Sequence, residues 1–153
     1  MCCAWESSGS ALCSRAQLQT LAVEISFGCG MQVPVCVATS SHKRHFDLKT
    51  QKHGPFFQRF DHIITGDNVE NGKPAPDIFL KACGSWNTPP SASCCLVFED
   101  APSGVAAAKA AGMHCVMVPD PNLDRASTKE ADVVINSLLE VPLEQFGLPP
   151  LPT

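Results

Sequence analysis

The sequence lacks the features of several common classes of protein. No apolar run approaches the ~20 residues that a membrane-spanning helix needs, and the first residues have neither the basic start nor the apolar segment of a secretory signal peptide. The 11 Lys and Arg residues are outnumbered by 15 Asp and Glu, giving a formal net charge of −4. Binding to nucleic acid is disfavoured, because clustered basic residues are typical of it. We therefore expect a cytoplasmic protein without nucleic-acid or membrane partners.

Closely spaced cysteine pairs of the redox or zinc-binding type are also absent. The 153 residues include nine cysteines, but no C-x-x-C occurs, the spacing typical of such sites. Cys36, Cys95 and Cys115 lie within apolar stretches, where a thiol behaves as a small buried hydrophobic group. We predict that these three cysteines are reduced core thiols and not part of a disulfide framework.

Short β-rich runs alternate with helical segments from residue 31 onward. The runs are rich in Val, Ile, Phe and Cys and are bounded by Pro, Gly, Asp or Ser; they lie at residues 33–38, 62–65, 95–98, 115–118 and 133–135. Helical patterns occupy residues 41–60, 77–83 and 102–111, the last opening near a proline and stopping at a glycine. This alternation indicates a three-layer α/β fold with a parallel sheet. The loops that follow the strands then meet at one edge of the sheet.

Three hydroxyl residues, Thr39, Ser40 and Ser41, directly follow the first of these runs. Hydroxyls and backbone N–H groups between the end of a strand and the start of a helix can bind an anion. The alternative is that Thr39 or Ser41 only caps the following helix.

A lysine, Lys73, lies in the segment GKPAPDIF, where two prolines fix the backbone between it and the next helix. A rigidly held ammonium group can offset the charge of a phosphoryl group during its transfer. The alternative is a solvated surface lysine, the usual state of this residue type.

Two adjacent acids, Glu99 and Asp100, end the apolar run at residues 95–98. Neighbouring carboxylates at the end of a buried strand repel each other and lose solvation. A hard cation such as Mg²⁺, which prefers oxygen ligands, offsets that cost. The alternative is that Asp100 only caps the helix that opens near Pro102, and the two roles can coexist.

The segments ATSS, GKPAPDIF and LVFEDAPSGVAAAKAAGM, in this order and at this separation, resemble motifs II, III and IV of the haloacid dehalogenase superfamily. The resemblance covers about residues 31–149. It implies a three-layer αβα, Rossmann-like core and a Mg²⁺-dependent phosphomonoesterase. The implied substrate is a small phosphorylated metabolite, a nucleoside monophosphate such as pseudouridine 5′-monophosphate.

The resemblance also implies roles for the residues of the three motifs. Thr39 would hold the transferring phosphoryl group through its hydroxyl, and Ser40 would contribute its backbone N–H. Lys73 would clamp the phosphate and, with Thr39, belong to the catalytic set. Asp100 would reach Mg²⁺ directly or through water, and Glu99 would support that metal shell.

An Asp-x-Asp motif is what this sequence lacks relative to the superfamily. There the motif ends the first, central strand; its first Asp attacks phosphorus and its second serves as general acid and base. No two aspartates of this sequence are two residues apart. The thirty residues before the first matching motif are also too few for a central strand, a helical cap and the helix that returns from it. We therefore expect an incomplete core without its first strand and cap.

Two classes of function stay open on the sequence. One is a phosphomonoesterase of this superfamily, with negligible activity expected from this chain because the nucleophile is absent. The other is a non-catalytic fragment or isoform that retains half of a phosphate and Mg²⁺ site. Residues 1–30 do not resemble the superfamily. They are predicted to be a leader of different origin, either disordered or supplying a replacement central strand at residues 21–27, and residues 150–153 a loosely packed tail.

Overall fold

The computed structural model describes residues 33–148. Its five strands are β1 (Cys36–Ala38), β2 (His62–Ile64), β3 (Leu96–Glu99), β4 (His114–Met117) and β5 (Val133–Val134). Its α-helices are α1 (Lys43–Thr50), α2 (Gly54–Phe57), α3 (Asp77–Cys83) and α4 (Pro102–Ala110). Short 3-10 turns lie at Gly66–Asn68, Ala92–Cys94, Arg125–Thr128, Leu138–Glu140 and Leu143–Phe146.

Each of the five predicted β-rich runs overlaps a strand, so the predicted order of strands is confirmed. The last predicted helix is confirmed at both ends. Pro102 occupies its first turn, and Gly112 follows it with a φ of 75°, a left-handed conformation that glycine adopts without steric cost.

The partly helical spacing of residues 41–60 corresponds to two helices, α1 and α2, and not to one. The backbone N–H of His53 donates to the Thr50 carbonyl at 2.7 Å, closing a turn after α1. Pro55 then lies in the first turn of α2. Proline has no N–H to continue a helix, but is tolerated at the start of a new one.

The strands form two parallel sheets. In the first, β1 pairs with β2, with Val37 opposite Ile63. In the second, β4 lies between β3 and β5, with Phe98 opposite Val116 and Met117 opposite Val134. Parallel pairing throughout confirms the α/β prediction.

The two sheets share one hydrophobic core on the side of α3 and α4. This core joins residues of both sheets and both helices: Cys36, Ala38, Val97, Cys115, Phe79, Ala82, Ala107 and Ala108. Residues of the opposite sheet face pack against the C-terminal 3-10 turns in a second cluster: Val35, Leu96, Phe98, Val116, Ile135, Leu138 and Leu143. The sheets therefore form a middle layer between two outer layers.

Within residues 33–148, β1 and β3 belong to different sheets and no strand joins them. β1 leads into Thr39 and β3 leads into Asp100. The resemblance places the central strand of the sheet between these two strands. The predicted incomplete core is therefore confirmed for the described part of the chain. The predicted leader, its replacement strand at residues 21–27 and the tail at residues 150–153 lie outside the described residues.

The three predicted core thiols, Cys36, Cys95 and Cys115, are buried, as expected of thiols within apolar stretches. Among the helices that the structure describes, none combines the length and apolar character required to cross a membrane.

Candidate functional site

Lys73 joins the carboxyl ends of the two sheets. Its Nζ lies 2.6 Å from Glu99 Oε1 at the end of β3 and 3.4 Å from the Ala38 carbonyl at the end of β1. The Phe79 ring of α3 lies beneath the ammonium, with its centroid 4.9 Å from Nζ, a cation–π contact. The side chains of Lys73 and Glu99 are only 2% and 0% exposed. The structure therefore rejects a solvated surface lysine and holds the ammonium in one place.

The hydroxyl loop begins where β1 ends. Thr39 is 2% exposed, and its backbone N–H donates to the Ile64 carbonyl at 2.9 Å, extending the pairing of β1 with β2. Its Oγ1 accepts a hydrogen bond from the Ser41 backbone N–H at 3.2 Å, whereas Ser40 is exposed. Because the N-cap residue of α1 is His42, neither Thr39 nor Ser41 caps that helix, and this alternative is wrong.

Gly66 allows the loop after β2 to lie directly against the hydroxyl loop. A Cβ at this position would come within 2.5 Å of the Ser40 carbonyl oxygen. The Gly66 backbone N–H donates to the Ser41 carbonyl at 3.1 Å. Any side chain at position 66 would push the two loops apart.

Asp67, the next residue, satisfies the start of α1. Its carboxylate accepts from the Lys43 backbone N–H and contacts the His42 ring at 2.5 Å. These two hydrogen bonds, the one from Lys43 first, hold the pKa of Asp67 below its usual value of 3.8. Asp67 and Gly66 are not among the residues predicted from the sequence, where their only signal is a Gly-Asp pair directly after a β-rich run.

The two acids at the end of β3 differ in their surroundings. The Glu99 carboxylate lies against the first turn of α4, where a Cβ on Gly104 would come within 2.1 Å of it. Glu99 forms the ion pair with Lys73. Asp100, the next residue, is half-buried at the edge of the sheet. The residue that caps α4 is Ala101, which has no capping side chain.

Cys115, in the strand next to β3, is not suited to nucleophilic chemistry. Burial, followed by the negative charges of Glu99 and Asp132, raises the pKa of its thiol far above the usual range. The reactive form of cysteine is the thiolate, so this group acts as part of the core.

The structure thus brings four of the predicted site residues to one edge of the sheet: Thr39, Lys73, Glu99 and Asp100. Lys73 pairs directly with Glu99 and contacts the residue before Thr39. Asp100 follows Glu99. Ser40 lies next along the hydroxyl loop but is exposed to solvent. The arrangement offers a fixed cation, a hydroxyl, the Ser40 backbone N–H and a carboxylate within one small region, a combination that suits a phosphate group and a divalent cation.

Comparison with known families agrees with this geometry. Residues 30–112 match the family described as haloacid dehalogenase-like hydrolase. A probable pseudouridine-5′-phosphatase from Drosophila melanogaster is 52% identical over 121 residues, covering 77% of this chain and 52% of that protein. A (DL)-glycerol-3-phosphatase 2 from Arabidopsis thaliana is 51% identical over 121 residues, covering 77% and 50%. The chain spans about half the length of these curated relatives.

Solved structures share the fold. A HAD family hydrolase from Deinococcus radiodurans R1 with bound phosphate and sodium has a TM-score of 0.70 and 26% identity, covering 86% of this chain and 60% of that chain. CbbY from Rhodobacter sphaeroides in complex with phosphate has a TM-score of 0.66 and 28% identity, covering 83% and 57%.

Proposed function

Because the chain belongs to the haloacid dehalogenase-like hydrolase family, we propose that it binds the phosphate group of a small phosphorylated metabolite together with Mg²⁺. The binding site is the edge of the sheet formed by Thr39, Ser40, Lys73, Glu99 and Asp100. We propose ligand binding without turnover.

The observation that carries the proposal is the position of Lys73. A buried ammonium is costly unless it is paired, and here one carboxylate and one carbonyl hold it between the ends of β1 and β3. A cation fixed in this way loses little conformational freedom when an anion arrives. Lys73 is therefore the residue that would clamp the phosphate.

The hydroxyl loop supplies the second part of the proposed phosphate site. Thr39 offers a hydroxyl and Ser40 a backbone N–H at the end of β1, and both groups suit the oxygens of a phosphate. The bound phosphate in the structures from D. radiodurans and R. sphaeroides supports this class of ligand.

Asp100 is the residue that would hold Mg²⁺. Mg²⁺ keeps several of its waters and takes one or two protein carboxylates together with phosphate oxygens. Asp100, together with water and phosphate oxygens, matches this set of ligands. Glu99 would support the shell from behind while paired with Lys73. A bound Mg²⁺ would neutralise charge on the phosphate oxygens.

Pseudouridine 5′-monophosphate is the ligand that we propose. The Drosophila relative is named for this substrate and is 52% identical over the matched segment. A second candidate, glycerol 3-phosphate, is favoured by the name of the Arabidopsis relative at nearly the same identity. Because both matches cover only about half of each relative, the core residues alone do not separate the two ligands.

Turnover is not part of the proposal, because the 153 residues contain no Asp-x-Asp. Loss of a covalent nucleophile removes the reaction path; in an unrelated hydrolase it costs on the order of 10⁶ in kcat. The chain would then act as a non-catalytic protein that retains the phosphate and Mg²⁺ half of a phosphomonoesterase site.

Calorimetric titration with inorganic phosphate, with and without Mg²⁺, tests the binding site. We expect Thr39→Val and Lys73→Met to weaken phosphate binding at least tenfold and Asp100→Asn to remove its dependence on Mg²⁺. Ser93→Ala, an exposed hydroxyl outside the site, is the matched control and should bind like the wild type. Phosphate affinity that is the same in all of these variants would refute the proposal.

A further inference from the structure

Two buried thiols lie side by side where α3 approaches the start of β3. Cys83 is the last residue of α3, and Cys95 immediately precedes β3. Their Sγ atoms are 4.0 Å apart, and the residues are 8% and 0% exposed. At the opposite end of β3, Glu99 pairs with Lys73, which lies in the loop before α3.

Local hydrogen bonds direct both thiols toward the intervening loop. The Cys83 thiol donates to the Pro90 carbonyl at 3.1 Å, and the Cys95 thiol donates to the Ser91 carbonyl at 3.5 Å. Cys94, the neighbour of Cys95, is exposed and accepts a hydrogen bond from the Ser91 hydroxyl at 3.6 Å. Three cysteines thus lie close together, but the 4.0 Å contact selects Cys83 and Cys95.

We propose that Cys83 and Cys95 form an oxidative modification site that a small peroxide converts to a disulfide. The thiolate of Cys83 attacks one peroxide oxygen, the O–O bond breaks, and the departing hydroxide takes a proton and leaves as water. The Cys95 sulfur then attacks the resulting sulfenic sulfur, the S–O bond breaks and a second water leaves. Two thiols and one hydrogen peroxide give one disulfide and two waters; the sulfurs are oxidised and the peroxide is reduced.

Forming this bond requires a local movement of the chain. The two sulfurs must approach by about 2 Å, because a disulfide is about 2.05 Å long. Cys83 lies at the end of its helix and is followed by Gly84, and Cys95 follows a short 3-10 turn, so both are at the ends of regular elements. The disulfide would fix the end of α3 to the start of β3 and restrict the unfolded chain.

Peptide mapping of the full chain tests the site. The protein is treated with hydrogen peroxide, its free thiols are alkylated under denaturing conditions, and it is digested without reductant. Trypsin leaves Cys83, Cys94 and Cys95 together in the peptide of residues 82–109, and chymotrypsin then cuts after Trp86 between the first cysteine and the other two. We expect the two fragments to stay joined until they are reduced, with Cys94 alkylated.

Matched variants show which cysteine forms the disulfide with Cys83. Cys94→Ser should keep the link, whereas Cys95→Ser should lose it. Oxidised wild type should melt about 5 °C or more above the reduced protein, and Cys95→Ser should show no such shift. Cys115, a buried thiol, serves as the internal control and should remain alkylatable after oxidation.

Either of two results would overturn the proposal. One is a link from Cys83 to Cys94, with Cys95 alkylated. The other is separation of the two chymotryptic fragments without reductant after peroxide treatment, with both Cys83 and Cys95 alkylated. Because the map is made on the wild-type protein, this outcome does not depend on whether the variants fold.

Discussion

At the scale of single residues, Lys73 and Glu99 place opposite charges inside the protein, with side chains 2% and 0% exposed. Each charge is tolerated because the other is 2.6 Å away. Removing one member leaves the other buried without its partner charge, and such changes typically destabilise a protein by about 3–5 kcal/mol. The pair therefore belongs to the fold as well as to the proposed site.

We predict that Lys73→Met lowers the free energy of unfolding by about 3–5 kcal/mol, measured by urea denaturation. Lys81→Met changes an exposed lysine of α3 and should shift it by less than about 0.5 kcal/mol. The double variant Lys73→Met, Glu99→Gln should be more stable than the sum of the single effects predicts, because no charge is left buried. Additive effects would show that the two groups do not interact.

A second prediction concerns Gly104, whose Cβ would come within 2.1 Å of the Glu99 carboxylate. Gly104→Ala should destabilise the protein by about 1–3 kcal/mol, the usual effect of overpacking, because the carboxylate must move away from Lys73. Gly72→Ala is the matched control, since nothing lies within 4 Å of its added Cβ. Thermal unfolding of both variants gives the comparison, and equal melting temperatures would contradict the packing described here.

The sequence allowed Lys73, Glu99 and Asp100 to be chosen as site residues, because Lys73 directly precedes two closely spaced prolines and the two acids end an apolar run. Their pairing could not be predicted. Which carboxylate meets the lysine depends on how α4 approaches β3, and Gly104 decides that approach. Asp67 was missed for the same reason: its partner, the Lys43 N–H, is 24 residues away in the chain.

At the scale of elements, α1 is stabilised at its start by a residue from another loop. The pKa of Asp67 is lowered from 3.8 by the Lys43 N–H and by His42. A lowered pKa in the folded state means that the contact stabilises the fold at pH above the ordinary value. That contribution is lost as pH falls through the folded pKa.

The amide proton of Lys43 reports this contact directly in an NMR titration. We predict that its chemical shift changes with a midpoint below pH 3.8, and that this change is absent in Asp67→Asn. A midpoint at or above 3.8 in the wild type would mean that Asp67 does not accept the Lys43 N–H.

The strands were predictable because each is a short apolar run bounded by turn residues, as buried parallel strands are. The division of residues 41–60 into α1 and α2 was not predicted. Its apolar residues keep a partly helical spacing through the turn. The aromatic rings still pack together: the ring centroids of Phe46 and Phe57 are 5.1 Å apart, and those of Phe56 and Phe60 are 5.2 Å apart. Pro55 was the local signal for a new helix start.

At the scale of the whole molecule, residues 33–148 form two parallel sheets that share one hydrophobic core. β1 and β3 lie in separate sheets. Lys73 spans the carboxyl ends of both sheets, so the proposed phosphate site depends on their relative position. The order of the motifs along the chain predicted this edge of the sheet, because the ends of parallel strands meet there.

The central claim is that the chain binds a phosphomonoester without hydrolysing it. Phosphorus-31 NMR of pseudouridine 5′-monophosphate with the protein and Mg²⁺ tests binding and turnover in one measurement. We predict that the phosphomonoester resonance shifts or broadens with wild-type protein and not with Thr39→Val, while no inorganic phosphate appears. Protein-dependent release of inorganic phosphate that Asp100→Asn abolishes, or a resonance that wild-type protein leaves unchanged, would contradict the claim.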